Sequence, residues 1–188
     1  MTAFKRLSIK NFKRYSGEHH IPLQGDGQVT IIAAQNGHGK TTTLDAIHLA
    51  LHGKRAFAER YPGRDFQEWM EAAYSISAPE DEYRTMMFAL EMNDEMIGDI
   101  RIERTFWLPS EAKEELMTEV GINTNGEPLD LEKGETRTKM AEAWIEDYIP
   151  RATMRHFLID GERLSEFDPH NMDEAMVNGI DDVLGIEV

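Results

Sequence analysis

Residues 28–41, QVTIIAAQNGHGKT, run straight into TTLDAIHLALHG, and this junction limits the chain to few folds. A β-branched apolar run ends in a short polar loop, and a helical period begins at once, so strand, tight loop and helix must follow one another without a linker. Ala34-Gln35-Asn36-Gly37-His38-Gly39-Lys40-Thr41 matches the phosphate-loop pattern G-x-x-x-x-G-K-[ST], with Ala34 where the first glycine stands. The spacing has a chemical reason. Gly37 and Gly39 let the backbone fold tightly and aim successive N–H groups at phosphate oxygens, and Asn36 and His38 complete that cradle through their backbone. The helix opening at Lys40 adds its positive end. Lys40 has the reach for β- and γ-phosphates, the Thr41 hydroxyl suits Mg²⁺, and Thr42 falls at an α-phosphate. A nucleotide site with ATP and Mg²⁺ is the expectation.

Around this junction the pattern alternates strands with helices. LSIKNF (7–12) and QVTIIAA (28–34) read as strands, with a short strand near HHIPL (19–23) between them. From Lys40 to Leu51, Leu44, Ile47, His48 and Leu51 share one helical face, and Gly53 is expected to end the helix. KRAFAERYPGR (54–64) reads as a basic loop whose Arg55, Arg60 and Arg64 face solvent, nucleotide or DNA. DFQEWMEAAYSI reads as a short amphipathic helix. YRTMMFALEM (83–92) and IGDIRIERTFW (97–107) form a strand pair turning at Asn93-Asp94. In the second of them Ile100, Ile102, Arg104 and Phe106 alternate with Arg101, Glu103, Thr105 and Trp107. Residues 108–135 are acidic and glycine-bearing, a variable loop or hairpin, and TRTKMAEAWIEDYIP is a helix stopped by Pro150.

Charge divides the chain. Residues 1–64 hold ten Lys and Arg against four Asp and Glu, while the remainder holds ten against thirty-one. A basic first third suits phosphate groups, and the acidic remainder argues against a broad nucleic-acid-coating surface. With no cysteine, disulfides, thiolate chemistry and Cys-based zinc sites are excluded, and a reducing cytoplasm is the expected setting. No apolar run approaches the roughly 18 residues of a membrane span, so no membrane is expected.

LSIKNFKRY followed by VTIIAAQNGHGKTTTLDAIHLALHGKR resembles the N-terminal lobe of the ABC-type ATPase heads of SMC-like proteins, including double-strand-break repair ATPases. The hallmarks are Asn11-Phe12 with the basic Lys13, then Asn36 through Thr42, and Asp45 before Ala46-Ile47. Within that group WIEDYIPRATMRHFLIDGERLSEF resembles the DndD-type ATPases of DNA sulfur modification (phosphorothioation). The resemblance implies an α/β fold, a P-loop ABC-type head lobe with a mixed sheet, a flanking antiparallel β element and the P-loop helix. Lys13, aided by Arg14, would then help hold nucleotide phosphates. Asp160, in Asp160-Gly161-Glu162, stands where such heads usually present a glutamine to Mg²⁺ and the attacking water, so Lys40 and Asp160 would be the catalytic share of this lobe. The signature loop, Walker B pair, switch histidine and general base would lie in a second lobe, beyond a long coiled coil. Residues 1–170 would form the lobe and 171–188 the start of the first coiled-coil arm, the rest of a longer protein being absent. The partners implied are that second lobe, a second head in an ATP-sandwiching homodimer, DNA for the full assembly, and other modification or defence subunits. The fragment alone would bind without efficient turnover.

A second reading takes Phe157-Leu158-Ile159-Asp160 as a Walker B strand with Glu162 as base, which would make a self-contained P-loop NTPase or kinase. The histidines suggest no metal: His48 and His52 are spaced i, i+4, but HLALH lacks the glutamate of H-E-x-x-H, and His19-His20 has no third ligand.

Overall fold

A computed structural model describes residues 2–24, 39–78, 84–109, 115–131, 135–152 and 154. The elements run β1 (Thr2–Phe12), β2 (Tyr15–Pro22), α1 (Lys40–Arg60), α2 (Phe66–Ala73), β3 (Thr85–Asp94), β4 (Gly98–Trp107), β5 (Met117–Thr124), β6 (Glu127–Pro128) and α3 (Glu135–Tyr148). The strands form one sheet in the order β2-β1-β3-β4-β5-β6, and every pairing among the described residues is antiparallel. The strand expected over 28–34, the FLID run at 157–160 and the arm expected over 171–188 lie outside the described residues.

Period-two patterning makes this sheet. One face carries Leu7, Leu90, Ile102 and Ile122 in a row across four strands, and Ile9, Phe88, Arg104 and Val120 in the next. All eight are buried, Arg104 included. Helix α1 lies against β3 and β4, and α3 against β5, so the core sits between this face and the helices. On the other face Glu91 accepts from Arg6 and Arg101 at 2.6 and 2.7 Å, and Glu103 takes the rest of the Arg101 fork. Such partly exposed pairs contribute little to stability.

Three local readings of the sequence are corrected, and the alternative left open over 108–135, loop or hairpin, resolves as a hairpin. Gly53 does break α1, with φ 50 and ψ −130, but helical structure resumes and runs to Arg60, so the first seven residues of the expected basic loop are helical. Ala56 and Phe57 explain this, because both are buried and pull the segment onto the core. The β3–β4 turn falls at 95–97 rather than at Asn93-Asp94, which stay in the strand. Asp94 selects it by accepting from the N–H groups of Met96 and Ile97 at 2.9 and 3.0 Å. Within the acidic 108–135 segment, β5 and β6 form a hairpin around Asn125-Gly126, both at positive φ. Finally, the first half of α1 is not one-sided: every residue from Ala46 to His52 is buried. It is a core helix, with Leu44 the more accessible of the four expected contacts.

Candidate nucleotide-binding site

The site assembles where the β1–β2 turn meets the start of α1. The turn is strained on purpose. Asn11 and Lys13 both have positive φ, 56° and 51°, and the β1 pairing shifts register there. Asparagine tolerates that conformation best among residues with a side chain. Here both ends of its amide are used: Nδ2 donates to the Thr85 carbonyl at 3.1 Å, and Oδ1 accepts from Gly17 N–H at 2.9 Å. Phe12 enters the core against Phe88 and Trp69. The Asn-Phe pair is therefore the frame of the turn, and the basic residues after it are what the turn presents.

Those two basic residues point to different places. Arg14 is exposed, and a Cβ added at Gly39 would lie 3.2 Å from its Cδ and 3.3 Å from the Tyr15 hydroxyl. Arg14 and Tyr15 thus flank the last residue of the phosphate loop. Lys13 instead turns toward the body of α1. Its ammonium donates to Asp45 at 2.9 Å and lies 5.2 and 5.0 Å from the Phe12 and Trp69 rings, a cation–π setting. Its N–H donates to the Ala73 carbonyl.

Gly39 has φ 97 and forms the N-cap of α1 without a side-chain cap, and no acidic residue stands in the first turn. The Gly39 carbonyl accepts from Thr43 N–H at 2.8 Å and from the Thr43 hydroxyl at 2.9 Å. Lys40, Thr41 and Thr42 follow on this first turn, each half-buried. The leading N–H groups of a helix have no partner within it, and together with the helix dipole they favour an anion. An uncapped, non-acidic start bearing Lys40 and Thr41 fits a nucleotide phosphate with its Mg²⁺. Asn36, Gly37, His38 and Asp160 lie outside the described residues.

Behind the loop Asp45 accepts from three donors while its side chain is almost sealed from solvent. Besides Lys13 it receives Arg60 Nε at 3.1 Å and the Tyr61 hydroxyl at 2.9 Å to each oxygen. Burial and then the neighbouring carboxylate push the Tyr61 phenol up to about 12. This hub ties the turn, the helix start and the residues beyond Gly53 together. The sequence marked Asp45 as a hallmark but showed nothing of Arg60 and Tyr61 as its partners, since they arrive through the unexpected second half of α1.

His48 and His52 are buried in the same helix. Burial, with Arg60 next, lowers His48 to about 4, and burial lowers His52 to about 4 against the opposing pull of Glu146. Both are neutral near pH 7. Among the described residues no three His, Cys, Asp or Glu side chains gather into a metal site.

A family model described as an AAA domain matches residues 6–156, most of the chain. The chain belongs to the AAA domain family. The match runs from β1 across the phosphate loop to the end of α3 and beyond, so the glycine-lysine loop and the turn that flanks it fall inside one AAA domain. It is a P-loop ATPase domain of the AAA/SMC-like kind, in keeping with the head-type resemblance. No curated protein matches the chain.

Proposed function

We propose that this AAA domain is the first lobe of an SMC-like ATPase head, binding Mg-ATP at the N-terminal end of α1. One observation carries the reading: the uncapped start of α1, with Gly39, Lys40 and Thr41 in sequence and Arg14 alongside. Lys40 holds the β- and γ-phosphates, Thr42 the α-phosphate, and Gly39 with Asn36, Gly37 and His38 the backbone cradle. Thr41 and Asp160 are the Mg²⁺ ligands. When bound, the metal neutralises charge on the phosphoryl oxygens. Arg14 is the nearer cation of the turn, and Lys13 reaches a phosphate only by leaving Asp45.

The finer reading follows the resemblance. Two heads sandwich ATP, each completed by a second lobe that brings the signature loop and the general base, and nucleotide drives their dimerisation. Opening on hydrolysis moves coiled-coil arms on DNA, in the cytoplasm, in sulfur modification of the DndD type or a related defence or repair pathway. Modification or defence subunits are the further partners. Among the described residues no helix is long and apolar enough to cross a membrane.

Steady-state turnover tests the half-head. The 188-residue chain is expected to release phosphate from Mg-ATP no faster than its Lys40→Ala variant. Lys40-dependent turnover by the chain alone would mean that the FLIDGE segment supplies a Walker B carboxylate and base, and the two-lobe reading would fall.

A further inference from the structure

The break in α1 is held by a buried arginine. Arg104 stands on the core face of β4 in a row with Ile9, Phe88 and Val120, and is 1 % exposed. Its Nη2 donates to the Leu51 carbonyl at 3.0 Å and its Nε to the Ala50 carbonyl at 3.4 Å. These are the carbonyls of the last turn before Gly53, the negative end of the 40–52 helix. The third arm, Nη1, meets Glu142 of α3 at 2.9 Å. Gly53 fits against the guanidinium so closely that a Cβ there would lie 2.9 Å from Nη1 and 3.1 Å from Cζ.

The same strip of α3 takes further ties from α1 and from the chain after α3. Glu142 lies 4.0 Å from Arg55, while Glu146, one turn on, faces His52 at 3.7 Å and accepts from Arg151 at 2.8 Å. Arg151 in turn reaches Glu59 at 3.3 Å. The 40–52 helix is thus a largely buried rod, about 20 Å long at 1.5 Å per residue. Its positive end carries Lys40 and Thr41, and its negative end rests on Arg104.

We propose that Arg104 is a positioning residue for the nucleotide site, fixing the rod along its axis and, through Glu142, passing nucleotide occupancy at Lys40 to α3. The inference rests on the nucleotide reading. A tightly packed helix moves as a unit rather than deforming, so a load at one end is felt at the other. Arginine suits the post because its planar fork serves two carbonyls and a carboxylate together, which a lysine cannot do.

The test compares the unaltered chain with R104M, E142Q and the double variant R104M/E142M, measuring thermal unfolding, Mg-ATP affinity and hydrogen exchange of α3 amides with and without nucleotide. Replacing both members of the ion pair by apolar residues leaves neither charge without its partner, so the double variant keeps the fold testable if R104M does not fold. The expected result is that the double variant folds with a lowered unfolding midpoint, the Leu51 and Ala50 carbonyls having lost their donor, and binds Mg-ATP roughly tenfold more weakly, a small displacement of the binding groups being sufficient. Nucleotide should protect α3 in the unaltered chain, less in E142Q, and not in the double variant. Unchanged affinity and unchanged α3 protection in E142Q and the double variant overturn the inference and leave the nucleotide reading standing. Absence of Mg-ATP binding by the unaltered chain overturns both.

Discussion

His48 and His52 show how a residue can look like a ligand and serve the core. Their i, i+4 spacing is that of a metal-binding helix without its glutamate, and both rings are buried and held near pKa 4 by desolvation. The unfolded chain would titrate them near 6.5. Between those values the unfolded state binds more protons than the folded one, so stability is complete above about pH 6.5 and falls as the pH drops toward 4. The limit is about 3 kcal/mol for each histidine, at 1.36 kcal/mol per unit. The urea midpoint at pH 5 is expected to lie well below that at pH 7, and a H48L/H52L variant should lose part of that difference. A midpoint equally pH-sensitive in the variant would assign the effect to other groups. Arg104 belongs to the same lesson with the opposite sign of surprise: its place in the inward row of β4 was legible from alternation alone. Its purpose was not, because its carbonyl partners lie 54 and 53 residues away.

At the scale of elements, α1 is the piece on which the fold turns. Its buried first half presents the phosphate-loop lysine, its break rests on Arg104, and its second half brings Arg60, with Tyr61 just beyond, back to Asp45. Asp45→Ala would leave Arg60 and Lys13 without their shared carboxylate and is expected to cost about 3 kcal/mol, the usual penalty for breaking a buried pair. Denaturant unfolding checks this, and a loss below about 1 kcal/mol would place the pairs among the weak surface kind. Strands β3 and β4, helices α2 and α3 and the break at Gly53 were all readable, because each is set by local period or by a special backbone residue. The helical course of 54–60 was not. KRAFAER carries a charged surface and only Ala56 and Phe57 as buried anchors, so its conformation is decided by packing, with Phe57 close to Phe66 and Trp69. The 95–97 turn hides in the sequence for a smaller reason: Asp94 has the chemistry of a turn residue but is the strand-end side chain that caps the turn. At the candidate site, the spacing marks where α1 starts, at Lys40, whereas the divergence of Lys13 and Arg14 depends on the left-handed backbone at Lys13.

For the molecule as a whole, the antiparallel sheet is a platform that bends β1 into its turn and sets α1 across β3 and β4. The uneven charge follows the same division. The basic third holds the phosphate loop and the turn beside it, while the acidic remainder includes β5, β6 and α3 on the far side of the sheet order. Membership of the AAA domain family, the uncapped start of α1 and the placing of Arg14 beside Gly39 support the proposal that Mg-ATP binds at Lys40. Titration calorimetry of the chain and its Lys40→Ala variant with Mg-ATP tests that claim most directly. The account predicts saturable one-site binding by the chain and a loss of roughly 100-fold or more in the variant, the worth of a charge-assisted contact of about 3 kcal/mol to the phosphates. Equal affinities in the two proteins would contradict it.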